Sequence, residues 1–282
     1  MQAKTIKSGL FGRPLSRSLS PAVFAVFSEL TGGAISYELR ECSTQGLAAA
    51  VAAARAEGWT GFNATIPHKR AVLEMLDSAD KAARETGAAN TARFGEKGLE
   101  GTNTDAYALS NALKERGISA AGLSAAVYGA GGAAAAAAWA LAVAGAAHID
   151  ICARKPASAL ALKSRISKYF PATTFGTPPF GEPPAEDVIL VNATPIGMYT
   201  PGTPPCAPRA GDICIDLAYS AGGTDFTRTA KAAGARAVQG LDLLVWQAAL
   251  ALEFWGGFPG GDIVKFKNDA LALLARRLEG GR

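Results

Sequence analysis

Apolar and polar positions along the chain follow two rhythms, and the rhythm switches roughly every ten residues. "TIKSGLFG" (5–12), "ISYELREC" (35–42) and "WTGFNATI" (59–66) are short apolar stretches that predict strands. "SPAVFAVFSELTGG" (20–33) and "TQGLAAAVAAARAEG" (44–58) predict helices. The first should open with Ser20 at the N-cap and Pro21 at the first helical position, and Gly58 should close the second. Pro67 should open a third helix that carries Lys69 in its first turn. "AANTARFGEKGLEGTNTD" (88–105) reads as a hairpin turning at Gly95 and Gly98, and "DAYALSNALKERG" (105–117) as a helix leading out.

A second alternating series follows in "SAAVYGAGGAAAAAAWALAVAGA", "HIDICARK", "PASALALKSRISKYF", "DVILVNATPIGM" and "GDICIDLAYS", with a Pro/Gly-rich loop at 171–186. Two helical patterns, 241–256 and 263–278, end the chain. Strands alternating with helices predict an α/β fold of two domains, each built on an open, mostly parallel sheet. The 282 residues are enough for two such domains.

Composition narrows the function. The chain is 49% hydrophobic and 18% charged with net charge +4, so it fills a core, and no basic run points to nucleic acid. Residues 117–149 carry no charged side chain, but they are mostly Ala and Gly and are broken by "GAGG". A strand, a turn and a helix explain them better than a membrane span. The N-terminus shows no apolar signal segment. Cys42, Cys152, Cys206 and Cys214 form no C-x-x-C pair and do not cluster with His68 or His148, so neither zinc nor a disulfide framework is expected. They read as small core residues of a reducing, cytoplasmic compartment. His68 reads as packing.

One motif carries chemistry by itself. In "YGAGGAA", Gly129-x-Gly131-x-x-Ala134 follows an apolar strand and opens an Ala-rich helix, as the dinucleotide fingerprint requires. Gly129 permits the tight turn, and Gly131 lets a pyrophosphate approach a helix N-terminus that favours anions. Where the next strand ends, NAD-binding folds place an acid and NADP-binding folds favour Arg. Here "CARKPAS" places Arg154 and Lys155, whose cations suit a 2′-phosphate. Asp150 is the competing acid nearby. NADP(H) is therefore favoured over NAD(H).

A second group of polar residues sits where folding alone asks for none. Ser18 and Ser20 precede a helix, and Ser20 alone would serve as a cap. Asn63 and Thr65 end a strand, and Asn90 and Thr91 interrupt an apolar run. Asn103, Thr104 and Asp105 fall together, and Gln247 breaks an apolar stripe. A cation such as Lys69 at a helix N-terminus is mildly unfavourable, so its place asks for a reason other than folding. Hydroxyls and amides at the C-terminal ends of strands suit a hydroxyl-rich ligand.

These segments, in order, resemble the shikimate dehydrogenase family along essentially the whole chain. "GRPLSRSLSP" resembles its Ser-x-Ser-Pro entry segment, "NATIPHK" its N-V-T-x-P-x-K block and "AANT" its A-V-N-T. "GTNTD" resembles its G-x-N-T-D, "GAGGAA" its nucleotide loop, and "VNATPIGM" and "GLDLLVWQA" its two later signatures. The resemblance implies reversible NADPH-dependent reduction of 3-dehydroshikimate, with Lys69 and Asp105 as the catalytic pair. It implies that Ser18 and Ser20 hold the substrate carboxylate, that Thr65, Asn90 and Gln247 bind ring hydroxyls, and that Asn63 and Tyr219 lie at the rim. Gly129, Ala130, Gly131, Gly132, Ala133, Arg154 and Lys155 would hold NADP; Ala193, Thr194 and Met198 would border the nicotinamide, with Gly240 nearby. The substrate domain would comprise 1–106 plus 240–282, and the Rossmann domain 107–239. The partners implied are small molecules, with no nucleic acid or membrane, in a monomer or homodimer.

Three departures stand out: Arg17 where the family often has His, Ala153-Arg154-Lys155 in place of N-R-T, and Ala106-Tyr107 after Asp105. A quinate or quinate/shikimate dehydrogenase using NAD(P) shares most of these motifs. A non-catalytic NADP-binding module is the rival of another class.

Overall fold

The computed structural model describes residues 5–181, 189–220 and 222–280. They form two compact units, residues 1–104 with 245–282, and residues 105–244. The first unit begins with β1 (Ile6–Gly12), α1 (Ser20–Thr31), β2 (Ile35–Glu41), α2 (Leu47–Ala56), β3 (Gly61–Ala64) and α3 (Lys69–Met75). It continues with β4 (Ser78–Ala79), α4 (Lys81–Thr86), β5 (Thr91–Gly95) and β6 (Gly98–Thr102). Its sheet has the order β2-β1-β3-β5-β6-β4. Pairing is parallel across β2-β1-β3, antiparallel across β3-β5-β6 and parallel again at β4. The antiparallel part is the hairpin, closed at Gly95 opposite Gly98.

The sequence pattern misses β4 and α4, and misplaces two helix starts. Ser20 is the first helical residue of α1, not its cap; the Ser18 Oγ accepts the Ser20 N–H at 3.3 Å instead. Pro67 does not open α3. A tight turn from Thr65 to His68, closed by the His68 N–H on the Thr65 carbonyl at 2.7 Å, intervenes, and the helix begins at Lys69. The core of this unit stacks Phe11 on Trp59 and sets Phe62 edge-on to Phe11. His68 is buried, its Nε2 3.1 Å from the Cys42 carbonyl.

The second unit runs through α5 (Thr104–Glu115), β7 (Ser124–Tyr128), α6 (Gly132–Val143), β8 (His148–Cys152) and α7 (Pro156–Ile166). Then come β9 (Thr174–Gly176), β10 (Ile189–Asn192), β11 (Ile213–Asp216), α8 (Asp225–Ala232) and β12 (Arg236–Val238). Two helices, α9 (Gly240–Phe254) and α10 (Ile263–Gly280), end the chain. The sheet order β12-β11-β10-β7-β8-β9 is wholly parallel. Numbered along this unit it reads 3-2-1-4-5-6, the doubly wound order, with its switch point between β7 and β10.

Strand β9 lies inside the stretch expected to be loop; residues 182–186 of that stretch fall outside the described residues. The uncharged stretch 117–149 holds β7, the glycine turn and α6. Among the described residues no helix is long and apolar enough to cross a membrane. None of the four cysteines is in a disulfide, and burial pushes the Cys206 and Cys214 thiols up to about 12, which keeps them protonated and inert.

Candidate active site

In the first unit, backbone hydrogen bonds assemble the predicted polar residues at one end of the sheet. The Thr65 N–H donates to the Phe11 carbonyl at 2.9 Å, which sets Thr65 beside the end of β1. A Cβ on Gly12 would come within 2.3 Å of the Thr65 methyl, so glycine there is what lets Thr65 approach. The Ala64 N–H donates to the Asn90 carbonyl at 2.8 Å, and the Ala89 N–H to the Lys69 carbonyl at 2.9 Å. Thr65, Lys69 and Asn90 therefore share one rigid frame, and Lys69 is half-buried at the first position of α3.

The amides beneath this frame are largely saturated. Asn63 is buried; its Oδ1 accepts from the Tyr37 hydroxyl at 2.8 Å, and its Nδ2 donates to the Thr91 Oγ1 at 2.8 Å and the Asn90 carbonyl at 3.3 Å. Asn90 uses its Oδ1 on the Thr104 N–H at 2.7 Å and one Nδ2 hydrogen on the Thr104 Oγ1 at 2.9 Å. That leaves its second amide hydrogen for a ligand. Asn63 thus supports the frame, whereas Asn90 has a donor to offer. Tyr37 belongs to this network and was not expected from the sequence. Ser18 is half-buried and Ser20 buried at the N-terminus of α1, where the backbone favours an anion. Gln247 is half-buried on α9.

In the second unit, Asp105 lies in the first turn of α5. Gly129 has φ +123, and a Cβ on it would meet the Ala193 carbonyl oxygen at 2.6 Å. Its N–H donates to the Cys152 carbonyl at 2.9 Å, and the Ala193 N–H donates to the Tyr128 carbonyl at 2.8 Å. The ends of β7, β8 and β10 thus converge at the switch point. Gly131 caps α6, and a Cβ there would meet nothing within 4 Å. Nothing inside the protein demands that bare backbone, so it fits a cradle for a pyrophosphate. Arg154 and Lys155 are exposed just past the end of β8. The competing acid, Asp150, lies within β8 and takes the His148 Nε2 at 2.9 Å. Thr194, Met198, Tyr219 and the buried Gly240 sit on the loops after β10 and β11 and at the start of α9.

Residues 10–92 match the shikimate dehydrogenase substrate binding domain family. The shikimate dehydrogenase (NADP(+)) of Anaeromyxobacter sp. (strain Fw109-5) is 41% identical over 263 residues, covering 90% of this chain and 92% of that one. The chain belongs to the shikimate dehydrogenase family. Among solved structures, the shikimate 5-dehydrogenase of Thermus thermophilus in complex with NADP(H) and shikimate is 34% identical, with TM-score 0.80 over 97% of this chain and 100% of that one. The ligand-free 5-ketofructose reductase of Gluconobacter sp. strain CHM43 is 32% identical, with TM-score 0.84 over 99% of both chains.

Set against the family pattern, Tyr107 packs its ring edge-on against Trp139 at 5.5 Å, so its bulk is taken up between α5 and α6. The sequence pattern also gave no sign of Asp216, at the end of β11. It is fully buried, and burial raises its carboxyl to about 6. Hydrogen bonds from Thr224, the Ala218 N–H and Asn192 oppose that rise. With the folded value above the unfolded one, the native state binds the extra proton between about pH 4 and 6, and stability falls as pH rises through that window. The charged form then costs about 3 kcal/mol above pH 6. Urea unfolding of wild type and Asp216→Asn at pH 8 and pH 4 checks this: the stability difference should move about 2 kcal/mol in favour of wild type at the lower pH, where the unfolded carboxyl is still about half ionised.

Proposed function

We propose that the protein catalyses the reversible NADPH-dependent reduction of 3-dehydroshikimate to shikimate, in the cytoplasm, on the route to chorismate and the aromatic amino acids. The observation that carries this reading is the single frame holding Thr65, Lys69 and Asn90, in a chain akin to NADP-dependent shikimate dehydrogenases. The first unit is the substrate domain and the second the cofactor domain.

When bound, NADPH supplies the hydride. The Ser18 and Ser20 hydroxyls hold the substrate carboxylate, and Thr65, Asn90 and Gln247 orient the ring through its hydroxyls. As the carbonyl oxygen gains negative charge, the Lys69 ammonium stabilises it and gives it a proton from Nζ. Asp105 is the partner of Lys69 in that exchange. Tyr219 stands at the rim, while Asn63, expected there, supports the frame from beneath through Tyr37, Thr91 and Asn90. Gly129 to Ala133 cradle the pyrophosphate, and Arg154 with Lys155 holds the 2′-phosphate. Ala193, Thr194 and Met198 border the nicotinamide, with Gly240 nearby.

The test is a kinetic matrix of shikimate, quinate and the reduction of 5-ketofructose, each with the NADP and NAD forms of the cofactor, run on wild type and Arg154→Ala. Shikimate with NADP should give the highest kcat/KM in wild type. Arg154→Ala should raise the KM for NADP at least about tenfold and leave the NAD columns unchanged, because it removes one charge-assisted contact to the phosphate. A matrix led by quinate moves the substrate assignment within the family. No turnover in any cell leaves the rival of a non-catalytic NADP-binding module.

A further inference from the structure

We infer that Asp216 is a positioning residue that sets the loops bordering the nicotinamide end of the cofactor site; this rests on the assignment of Ala193, Thr194 and Tyr219 to that end. Its carboxylate is buried and receives three donors from three segments. Oδ1 accepts from the Asn192 Nδ2 at 2.8 Å and from the Ala218 N–H at 2.9 Å. Oδ2 accepts from the Thr224 hydroxyl at the cap of α8.

Asn192 passes the constraint on. Its other Nδ2 hydrogen goes to the Ile196 carbonyl at 3.0 Å. Its Oδ1 accepts from the Thr194 N–H at 3.1 Å and the Thr194 hydroxyl at 2.7 Å. The Thr194 Oγ1 in turn accepts from the Ile196 N–H at 3.2 Å. Both hydrogens and both lone pairs of the Asn192 amide are committed, so the turn 192–196 has one conformation that satisfies its buried groups. The loop after β11 is held at the same carboxylate through Ala218, the residue before Tyr219.

A buried carboxylate contributes nothing to packing that an apolar side chain of its size would lack. What it contributes is two acceptor oxygens that fix three donors, at the end of β10, just past β11 and at the cap of α8, next to the switch point where Ala193 faces Gly129. These loops and the pyrophosphate turn are distinct parts of one site, so losing Asp216 should disturb the nicotinamide end and spare the adenosine end.

The experiment compares wild type, Asp216→Ala, Asp216→Asn and Asn192→Ala for kcat with NADPH and 3-dehydroshikimate and for the Kd of 2′,5′-ADP, a probe of the adenosine end alone. Asp216→Ala and Asn192→Ala should lose kcat by about 10²-fold, the scale of a misplaced reacting group. Their Kd for 2′,5′-ADP should stay within about twofold, the mark of an intact adenosine site. Asp216→Asn keeps an acceptor for Ala218 and Asn192 and should retain kcat within about threefold of wild type. If Asp216→Ala does not fold, Asn192→Ala and Asp216→Asn carry the same contrast. Wild-type kcat in Asn192→Ala, or equal losses of kcat and 2′,5′-ADP binding, overturns the inference. Absence of turnover in wild type overturns the proposed function instead.

Discussion

Lys69→Ala should lower kcat by about 10³-fold, the middle of the range for a positioned proton donor, with little change in KM or in thermal stability. The side chain is half-buried at the first position of α3, and what fixes the segment is backbone. The Lys69 carbonyl accepts from the Ala89 N–H whatever side chain stands at 69. Alanine is also the best helix former, and removing a cation from a helix N-terminus is mildly favourable. The loss should therefore appear in turnover alone, as when an interaction made only in the transition state is removed. Steady-state kinetics beside a melting curve checks it. Turnover within a few-fold of wild type would remove Lys69 from the chemistry.

The second large effect is a contrast between two glycines of one loop. Gly129→Ala places a Cβ 2.6 Å from the Ala193 carbonyl, at a φ of +123 that side chains rarely adopt. The backbone conformation alone costs about 1–3 kcal/mol, and the clash adds to it. The variant should unfold at clearly lower urea and bind NADPH poorly, because the loop must leave its place. Gly131→Ala has open space around its Cβ and an ordinary φ of −87. It should match wild type in urea and still lose NADPH affinity by about tenfold or more, since the methyl occupies the space a pyrophosphate needs. Urea titrations and NADPH fluorescence binding on both variants separate the two roles. If Gly131→Ala bound NADPH like wild type, the phosphate would sit elsewhere.

Much of the α/β architecture could be read from periodicity, because the central strands β7, β10 and β11 are nearly continuous apolar runs and most helices begin or end at Gly or Pro. What escaped was short or masked by composition. Strand β4 has two residues and β9 three, the latter within Pro/Gly-rich text. Helix α8 carried a readable signal, the capping box of Thr224 and Thr227, but with Thr in place of the usual acid or amide. The start of α3 was misplaced because a proline after a strand reads equally as turn or helix start.

The site divides in the same way. Lys69, Asn90 and Thr65 were legible as polar residues without a folding reason, and the backbone frame joins them. Asn63 looked the same in sequence, yet its amide is spent on Tyr37, Thr91 and Asn90. Sequence spacing does not reveal which amide is saturated. Asp216 escaped because an acid closing an apolar strand reads as the solvent boundary of that strand; its partners Thr224 and Asn192 lie 8 and 24 residues away, beyond the reach of a local pattern.

Helix α6 buries Ala134 to Ala138, Ala140 and Ala142 along with Trp139 and Leu141. Alanine has no rotamers to lose, so ordering most of this helix costs almost no side-chain entropy. The same alanines gain little from transfer out of water, about 0.8 kcal/mol per CH₂ group. The helix is thus held by closeness of fit more than by bulk, and its alanines have no alternative rotamers to populate as temperature rises. The amide groups at its N-terminus thus stand on a helix whose side chains have almost no rotamer freedom left to lose if a ligand orders that end.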